Sequence, residues 1–165
     1  MFTNFCFKKT KQWLCTALCL AAVFSTTSLY AETWRETLPS AKVVGSGTLR
    51  WFGFKIYDAK LWSAQQPFDA NTPFALELTY HRSISREQFV QTSLDEIKRL
   101  FAGRYSAETL KRWEAEMNRA FPNVKAGDQL IGVYEPGVGC RFYDANQLTT
   151  IVKDPEFARA FFSIW

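Results

Sequence analysis

The chain has 165 residues, of which 47% are hydrophobic and 22% are charged, and this balance excludes a disordered or fibrous chain and indicates one compact domain. The formal net charge is +4, but Lys8, Lys9 and Lys11 all fall in the first eleven residues. Without that segment the chain is nearly neutral, so it lacks the basic surplus with which proteins hold nucleic acid.

The N-terminal segment has the three parts of a secretory signal peptide. A basic stretch over residues 8–11 precedes an uncharged apolar run over residues 13–24, and a small, polar stretch then ends at Ala31. The apolar run is shorter than the roughly 20 residues that a helix needs to cross a bilayer. We therefore predict a signal peptide over residues 1–31, cleavage after Ala31, no stable transmembrane anchor, and a periplasmic or secreted domain over residues 32–165.

Cysteine and histidine are scarce in that domain. Cys140 is its single cysteine and His81 its single histidine, because Cys6, Cys15 and Cys19 belong to the predicted signal peptide. One cysteine cannot form an intramolecular disulfide, and together these residues cannot supply a cysteine-rich zinc site. We expect no metal and no cofactor.

The first part of the domain has the pattern of strands. Residues 43–62 alternate apolar and polar side chains and are split by Gly53, which indicates two strands or one long bent strand. Neither face is purely apolar, since Asp58 and Lys60 share one face and Lys55 and Tyr57 the other, so we expect a polar pocket or rim. Residues 45–50 read GSGTLR, but they lack the lysine-serine pair and the following helix of a phosphate loop, so we predict a turn or a bulge.

Residues 74–80 alternate strictly and predict a half-buried strand. Two helices should follow. The first begins with a capping box of Ser85 and Gln88 and ends at Gly103, and the second begins near Ser106 and ends at Pro122.

The chain then returns to a period of two, with predicted strands over residues 129–134, 140–143 and 148–152. Asp154, Pro155 and Glu156 have the features of a helix start, and we predict a final helix that runs through to Trp165. Together these elements predict an α+β fold, an antiparallel sheet with helices layered on one face.

Two groups of polar residues are candidates for a binding site. Tyr80, His81 and Arg82 follow one another at a strand end and offer a donor, an acid or base, and a fixed cation, although strand-end polar residues usually meet water or a helix cap. Arg50 and Tyr57 together suit a carboxylate or a phenolate, and the alternative is a surface arginine with a tyrosine packed in the core.

The aromatic residues suggest where a ligand would lie. We predict that most of them belong to the core, and an aromatic core between a sheet and helices can leave an apolar cavity for a small molecule. They are Trp51, Phe52, Phe54, Trp62, Phe74, Trp113 and Phe121.

Four blocks of the sequence resemble the bacterial chalcone isomerase-like family. They cover residues 47–62, 74–100, 121–139 and 154–165, nearly the whole domain and in the same order. The resemblance implies an open-faced β-sandwich, in which a large antiparallel sheet and the helices on one side of it enclose a ligand cleft.

Plant enzymes of that superfamily close a chalcone into a flavanone with an Arg, a Thr, a Tyr, a Lys and an Asn around the cleft, whereas relatives of the same fold bind fatty acids without catalysis. Arg50 lies in the block that carries the enzymes' Arg, with a shorter spacing, and Tyr57 stands roughly where they have the Thr. The helix positions that correspond to their Tyr, Lys and Asn hold Phe89, Thr92 and Asp95 or Glu96. The resemblance therefore implies binding without a complete catalytic set.

We expect a monomer that binds a small amphipathic molecule, a fatty acid or a phenolic, with Arg50 and Tyr57, or Arg82 and Tyr80 beside His81, around its anionic end. One alternative is an isomerase of the intramolecular lyase type, in which Tyr57 acts as general acid and Arg50 stabilises a phenolate. A second alternative is an envelope scaffold protein whose aromatic C-terminus docks on a partner.

Overall fold

The computed structural model describes residues 33–145 and 147–165. The predicted signal peptide, residues 1–31 with its cleavage site after Ala31, lies outside the described residues. Within the described part, no helix is long and apolar enough to cross a membrane.

Six strands form one antiparallel sheet in which each strand pairs with the next strand along the chain. The strands are β1 (Lys42–Trp51), β2 (Phe54–Ser63), β3 (Phe74–Tyr80), β4 (Gln129–Glu135), β5 (Gly139–Asp144) and β6 (Gln147–Val152). The helices are α1 (Trp34–Thr37), α2 (Arg86–Leu100), α3 (Ala107–Ala120) and α4 (Pro155–Phe162). The predicted α+β fold with an antiparallel sheet is confirmed.

The three longer helices begin where the sequence predicts, after Ser85, Ser106 and Asp154. At the first of them, the Ser85 hydroxyl accepts from the backbone N–H of Gln88 (3.2 Å), and the Gln88 side chain accepts from the N–H of Ser85 (3.1 Å). The capping box therefore satisfies two backbone N–H groups at the start of α2.

The longer helices cover one face of the sheet. On β3, alternate side chains pack against these helices, and they are Phe74, Leu76, Leu78 and Tyr80. The helix-facing side of the sheet is therefore an apolar surface of aromatic and leucine side chains, as the period of two in this strand predicts.

The opposite face of the sheet is covered in part by α1, a helix that the sequence pattern does not predict. Trp34 of α1 is 2% exposed and packs with Ala75, Ile131 and Tyr143. On the same face Glu77 is buried and accepts from Lys60 Nζ and Trp62 Nε1, both at 3.1 Å. β3 is thus buried on both faces, and the prediction of a half-buried strand is wrong because it omits this second cover.

β1 is an edge strand, and its ladder with β2 has irregularities between Val43 and Gly45 and between Leu49 and Arg50. Residues 45–50 are thus part of a bulged strand, so the predicted bulge is confirmed.

The turn between β1 and β2 is exposed, contrary to the prediction that its aromatic residues belong to the core. Trp51, Phe52 and Phe54 are 68%, 85% and 59% exposed, because this turn lies at the margin of the sheet. Phe74, Trp113 and Phe121 are buried as predicted.

Candidate functional site

An apolar seam lies between the helix-facing side of the sheet and the end of α4. Its walls include Leu76, Leu78, Phe121, Phe161, Phe162 and Trp165. The space left between them is a cavity of about 20 Å³, which is room for about one water molecule. The aromatic core predicted between sheet and helices is therefore present, and in this conformation its own rings fill the seam.

Gly132 on β4 explains why the seam is filled so closely. A Cβ atom at this position would lie 2.8 Å from Cζ of Phe162 and 3.1 Å from its Cε1. Because glycine has no side chain, the Phe162 ring lies directly on the sheet. Phe162 also contacts Phe74 and Tyr134, with ring centroids 5.4 Å away in each case, so a ring from α4 fills the space next to the sheet.

A pair of tyrosines lies next to the seam. Tyr57 on β2 and Tyr80 on β3 are partners across the ladder, and their ring centroids are 6.0 Å apart. The Tyr57 hydroxyl accepts from Nε1 of Trp165 at 2.8 Å. Tyr80 is 2% exposed, and its buried hydroxyl has no hydrogen-bond partner among the described residues. A buried polar atom without a partner is uncommon in folded proteins and calls for a structural reason.

Burial fixes the protonation of both tyrosines. It raises the pKa of Tyr80, with a smaller contribution from Tyr57, and it raises the pKa of Tyr57 against an opposing contribution from the Trp165 hydrogen bond. Both phenols are therefore protonated at neutral pH and able to donate a hydrogen bond. The same shift makes proton release harder, which weighs against Tyr57 as a general acid.

Arg50 lies outside this pair. The ladder places Leu49 opposite Tyr57, and Arg50 opposite Lys55, one step nearer the turn. The exposed Arg50 side chain donates to the carbonyl of Gly53 at 3.4 Å, and among the described residues no hydrogen bond joins it to Tyr57. Arg50 thus lies near the turn of the β1–β2 hairpin, and the residue that pairs with Tyr57 is its neighbour Leu49.

The run Tyr80, His81, Arg82 does not form one cluster. Tyr80 faces the seam, whereas Nε2 of His81 lies 2.6 Å from Oδ2 of Asp58, on the other face of β2. The Arg82 guanidinium lies 4.8 Å from the ring centroid of Phe54. The alternation of a strand separates adjacent side chains in this way.

Asp58 is the centre of a small network, because it also accepts from the Thr48 hydroxyl. The hydrogen bonds from Thr48 and then from His81 hold the pKa of the Asp58 carboxyl below its usual value of 3.8. Because the pKa of Asp58 is lower in the folded state than in the unfolded state, the ionised carboxylate stabilises the folded state at pH values above 3.8. That stabilisation is lost as the pH falls through the lowered pKa of the folded state.

We expect Asp58→Asn to make the free energy of unfolding less dependent on pH below about pH 4, because the variant lacks this titration. Urea unfolding at a series of pH values measures the effect. Asp95→Asn, on the exposed face of α2, is the matched control. Equal pH profiles of wild type and Asp58→Asn would contradict the prediction.

The α2 residues that the resemblance sets against the plant enzymes' Tyr, Lys and Asn lie in different surroundings. The Phe89 ring stacks on Phe121, with centroids 4.5 Å apart and planes 24° apart, and Thr92 is exposed. Asp95 accepts from Gln91 at 2.7 Å, and Glu96 accepts from Arg99 at 2.8 Å. The α2 side chain that contacts the Tyr80 ring is therefore the apolar ring of Phe89.

Sequence reasoning missed the partner of Tyr57. Trp165 lies 108 positions away in the chain, and α4 ends at Phe162 rather than running through to Trp165 as predicted. After Phe162 the backbone forms a tighter turn, in which the N–H of Ile164 donates to the carbonyl of Phe161 at 3.2 Å, while the Ser163 hydroxyl donates to the carbonyl of Arg159 at 2.7 Å. The Trp165 side chain then reaches back to β2.

The chain is similar to a known protein family in sequence and to a solved structure in fold. The model of a family described as chalcone isomerase-like matches residues 39–165. No curated protein sequence matches the chain. Among solved structures, the chain is similar to a fatty-acid binding protein of Arabidopsis thaliana, with a TM-score of 0.58 and 12% sequence identity over 76% of this chain and 79% of that one. At this level of identity the similarity shows a shared fold.

Proposed function

The chain belongs to the chalcone isomerase-like family, and from this premise we propose that it is an exported domain that binds a small amphipathic molecule, a fatty acid or a phenolic, in the seam between its sheet and its helices. The solved structure of a fatty-acid binding protein with the same fold supports a ligand of this class. The ligand tail lies along the apolar walls of the seam, and its polar end meets the tyrosine pair.

The observation that carries the proposal is the Tyr80 hydroxyl, which is buried without a hydrogen-bond partner. A buried hydroxyl without a partner costs about 1–3 kcal/mol. A carboxylate or phenol oxygen between Tyr80 and Tyr57 would accept from both phenols and remove that cost. The burial that keeps the two phenols protonated makes them suitable donors to such an oxygen.

The seam has to open for a ligand to enter, because a cavity of about 20 Å³ is too small for a fatty acid. Trp165 is the residue whose displacement opens it most simply. Its side chain occupies the hydrogen-bonding position at Tyr57, forms part of the wall of the seam, and is already 42% exposed. Once it has moved, the Tyr57 hydroxyl is free for the ligand.

We do not extend the proposal to intramolecular lyase chemistry. That alternative needs Arg50 beside Tyr57 to stabilise a phenolate, whereas Arg50 pairs with Lys55 and donates to the carbonyl of Gly53. On α2, the residue beside Tyr80 is Phe89, at a ring centroid distance of 6.1 Å. Chalcone turnover followed by absorbance, with no conversion above a protein-free blank, is the result we expect.

We predict that Tyr80→Phe raises the free energy of unfolding by about 1 kcal/mol and weakens fatty-acid binding about tenfold, because it removes a hydroxyl that has no partner in the free protein and gains one in the complex. Titration of the full chain with dodecanoate by calorimetry measures the affinity, and urea unfolding measures the stability.

Tyr143→Phe is the matched control for that variant. Tyr143 is equally buried but lies on the other face of the sheet, where its hydroxyl is 3.2 Å from the Thr37 hydroxyl. Its loss should cost about 1 kcal/mol of stability and leave binding unchanged. If Tyr80→Phe binds dodecanoate as tightly as wild type, or if mass spectrometry of the purified wild type finds no amphipathic molecule and dodecanoate does not bind, the proposal fails.

Export is supported by the pattern of residues 1–31, with its basic stretch and apolar run. N-terminal sequencing of the protein from an envelope or culture fraction tests it. A mature chain that begins at Glu32, or within a residue or two of it, is the expected result, and a chain that retains residues 13–24 would contradict it.

A further inference from the structure

The turn between β1 and β2 carries an exposed cluster of aromatic rings, residues 51–54, which we call the aromatic tip. Trp51, Phe52 and Phe54 are 68%, 85% and 59% exposed, the largest exposures of aromatic residues in the described part of the chain. The Trp51 and Phe52 rings contact each other, with centroids 5.3 Å apart. Apolar rings grouped at one protruding turn are typical of a contact surface, whereas scattered single exposures are ordinary.

The backbone of the aromatic tip indicates that an aromatic residue there serves some purpose other than folding. Phe52 has φ of 47° and Gly53 has φ of 81°, so both residues of this two-residue turn adopt the left-handed conformation. Asn-Gly is the preferred pair for such a turn, and a bulky residue with positive φ is an outlier. Phe52 is thus unfavourable for the turn and unfavourable for contact with water.

The charges around the aromatic tip are positive. Arg50 and Lys55 flank it, no acidic residue lies in residues 49–57, and the Arg82 guanidinium lies over the Phe54 ring at 4.8 Å. The acidic residue that follows, Asp58, already accepts from Thr48 and from His81. This arrangement is complementary to a surface that is negatively charged outside and apolar within.

We propose that the aromatic tip inserts into an anionic lipid surface, with its rings at the boundary of headgroups and acyl chains and with Arg50, Lys55 and Arg82 at the phosphates. A lipid surface suits a convex turn of four residues, whereas a stable protein interface needs about 800 Å² from each partner. The inference is independent of whether the seam takes a ligand.

Flotation of the full chain with vesicles tests the proposal, with phosphatidylglycerol mixed into phosphatidylcholine in one set and phosphatidylcholine alone in the other. We expect tighter binding to the anionic vesicles. Phe52→Asn should weaken that binding about tenfold while stabilising the turn, so a loss of binding cannot come from unfolding. Lys55→Gln should weaken it about fivefold on the anionic vesicles only.

Val138→Asn is the matched control, because Val138 is 58% exposed in the β4–β5 turn, which lies at the opposite end of the sheet. It should bind as the wild type does. Wild type and variants are purified from the same fraction and checked to have the same N-terminus, so any contribution of that end is the same in each. Brominated lipid gives a second measure, since quenching of tryptophan fluorescence should fall in Trp51→Phe, which keeps the tip apolar.

Three results would overturn the proposal. They are equal binding of Phe52→Asn and Val138→Asn, equal binding to neutral and anionic vesicles, and quenching unchanged in Trp51→Phe. Self-association in sedimentation that Phe52→Asn abolishes, together with unaltered vesicle binding, would instead assign the tip to a contact between two copies of the chain.

Discussion

Phe161→Ala is expected to lower the free energy of unfolding by about 3–5 kcal/mol and to create a binding site for an apolar tail inside the seam. Phe161 is 3% exposed, and its ring lies between Phe121, Phe142 and Trp165, at centroid distances of 5.6, 5.3 and 5.2 Å. Removing the ring leaves an apolar cavity that dodecanoate can fill. Dodecanoate should therefore raise the melting temperature of the variant more than that of the wild type.

Phe157→Ala separates this effect from a general loosening of the core. Phe157 lies one turn earlier on α4 and is fully buried, but it is not part of the wall of the seam. The variant should lose a similar amount of stability and gain no extra stabilisation from dodecanoate. If both variants respond to dodecanoate to the same extent, the seam is not the binding site.

Gly139→Ala is expected to have the largest effect on folding, a loss of more than about 4 kcal/mol. Gly139 has φ of 149°, and a Cβ atom there would lie 2.0 Å from the carbonyl oxygen of Val152 and 3.1 Å from the backbone nitrogen of Asp154. Both neighbours are backbone atoms, so neither a rotamer change nor a small shift relieves the clash. β5 and β6 would have to separate at the point where α4 begins.

Gly137→Ala is the control for this prediction. Gly137 also has a positive φ, of 75°, but nothing lies within 4 Å of the position of its Cβ. Alanine there should cost about 1–2 kcal/mol through the backbone conformation alone. Urea unfolding of both variants measures the difference, and a similar loss in the two would show that the contact with Val152 is unimportant.

Local sequence signals predicted most of the fold because they act over a few residues. Ser85, Ser106 and Asp154 mark the starts of three helices, since a side-chain oxygen accepts from a backbone N–H two or three residues later. The alternation in residues 74–80 likewise gave the strand and its helix-facing side. The alternation does not predict that α1 covers the other face of this strand, because the four residues of α1 are too few to show a helical period.

The candidate site was only partly predictable. Tyr57 was identified as a candidate from its strand, and the ladder brings it next to Tyr80. The hydrogen bond from Trp165 to Tyr57 depends on how α4 ends, and the closing of the seam depends on where the Phe162 ring lies over Gly132. Such contacts join distant parts of the chain, and no pattern within either part encodes them. Exposure of the aromatic tip was missed for a related reason, since composition does not show where a sheet ends.

The strand order of the sheet makes the β1–β2 hairpin the part of the fold that opens most readily. Every strand pairs with its neighbour in the chain, so β1 is joined to the rest of the sheet only through β2. An edge hairpin held in this way is a unit of local unfolding, and its amides should exchange with deuterium faster than those of β3 and β4, which are buried on both faces of the sheet. If the ladder between β2 and β3 also opens at its Tyr57 end, Tyr57 separates from Trp165, which would be a second route into the seam beside displacement of Trp165.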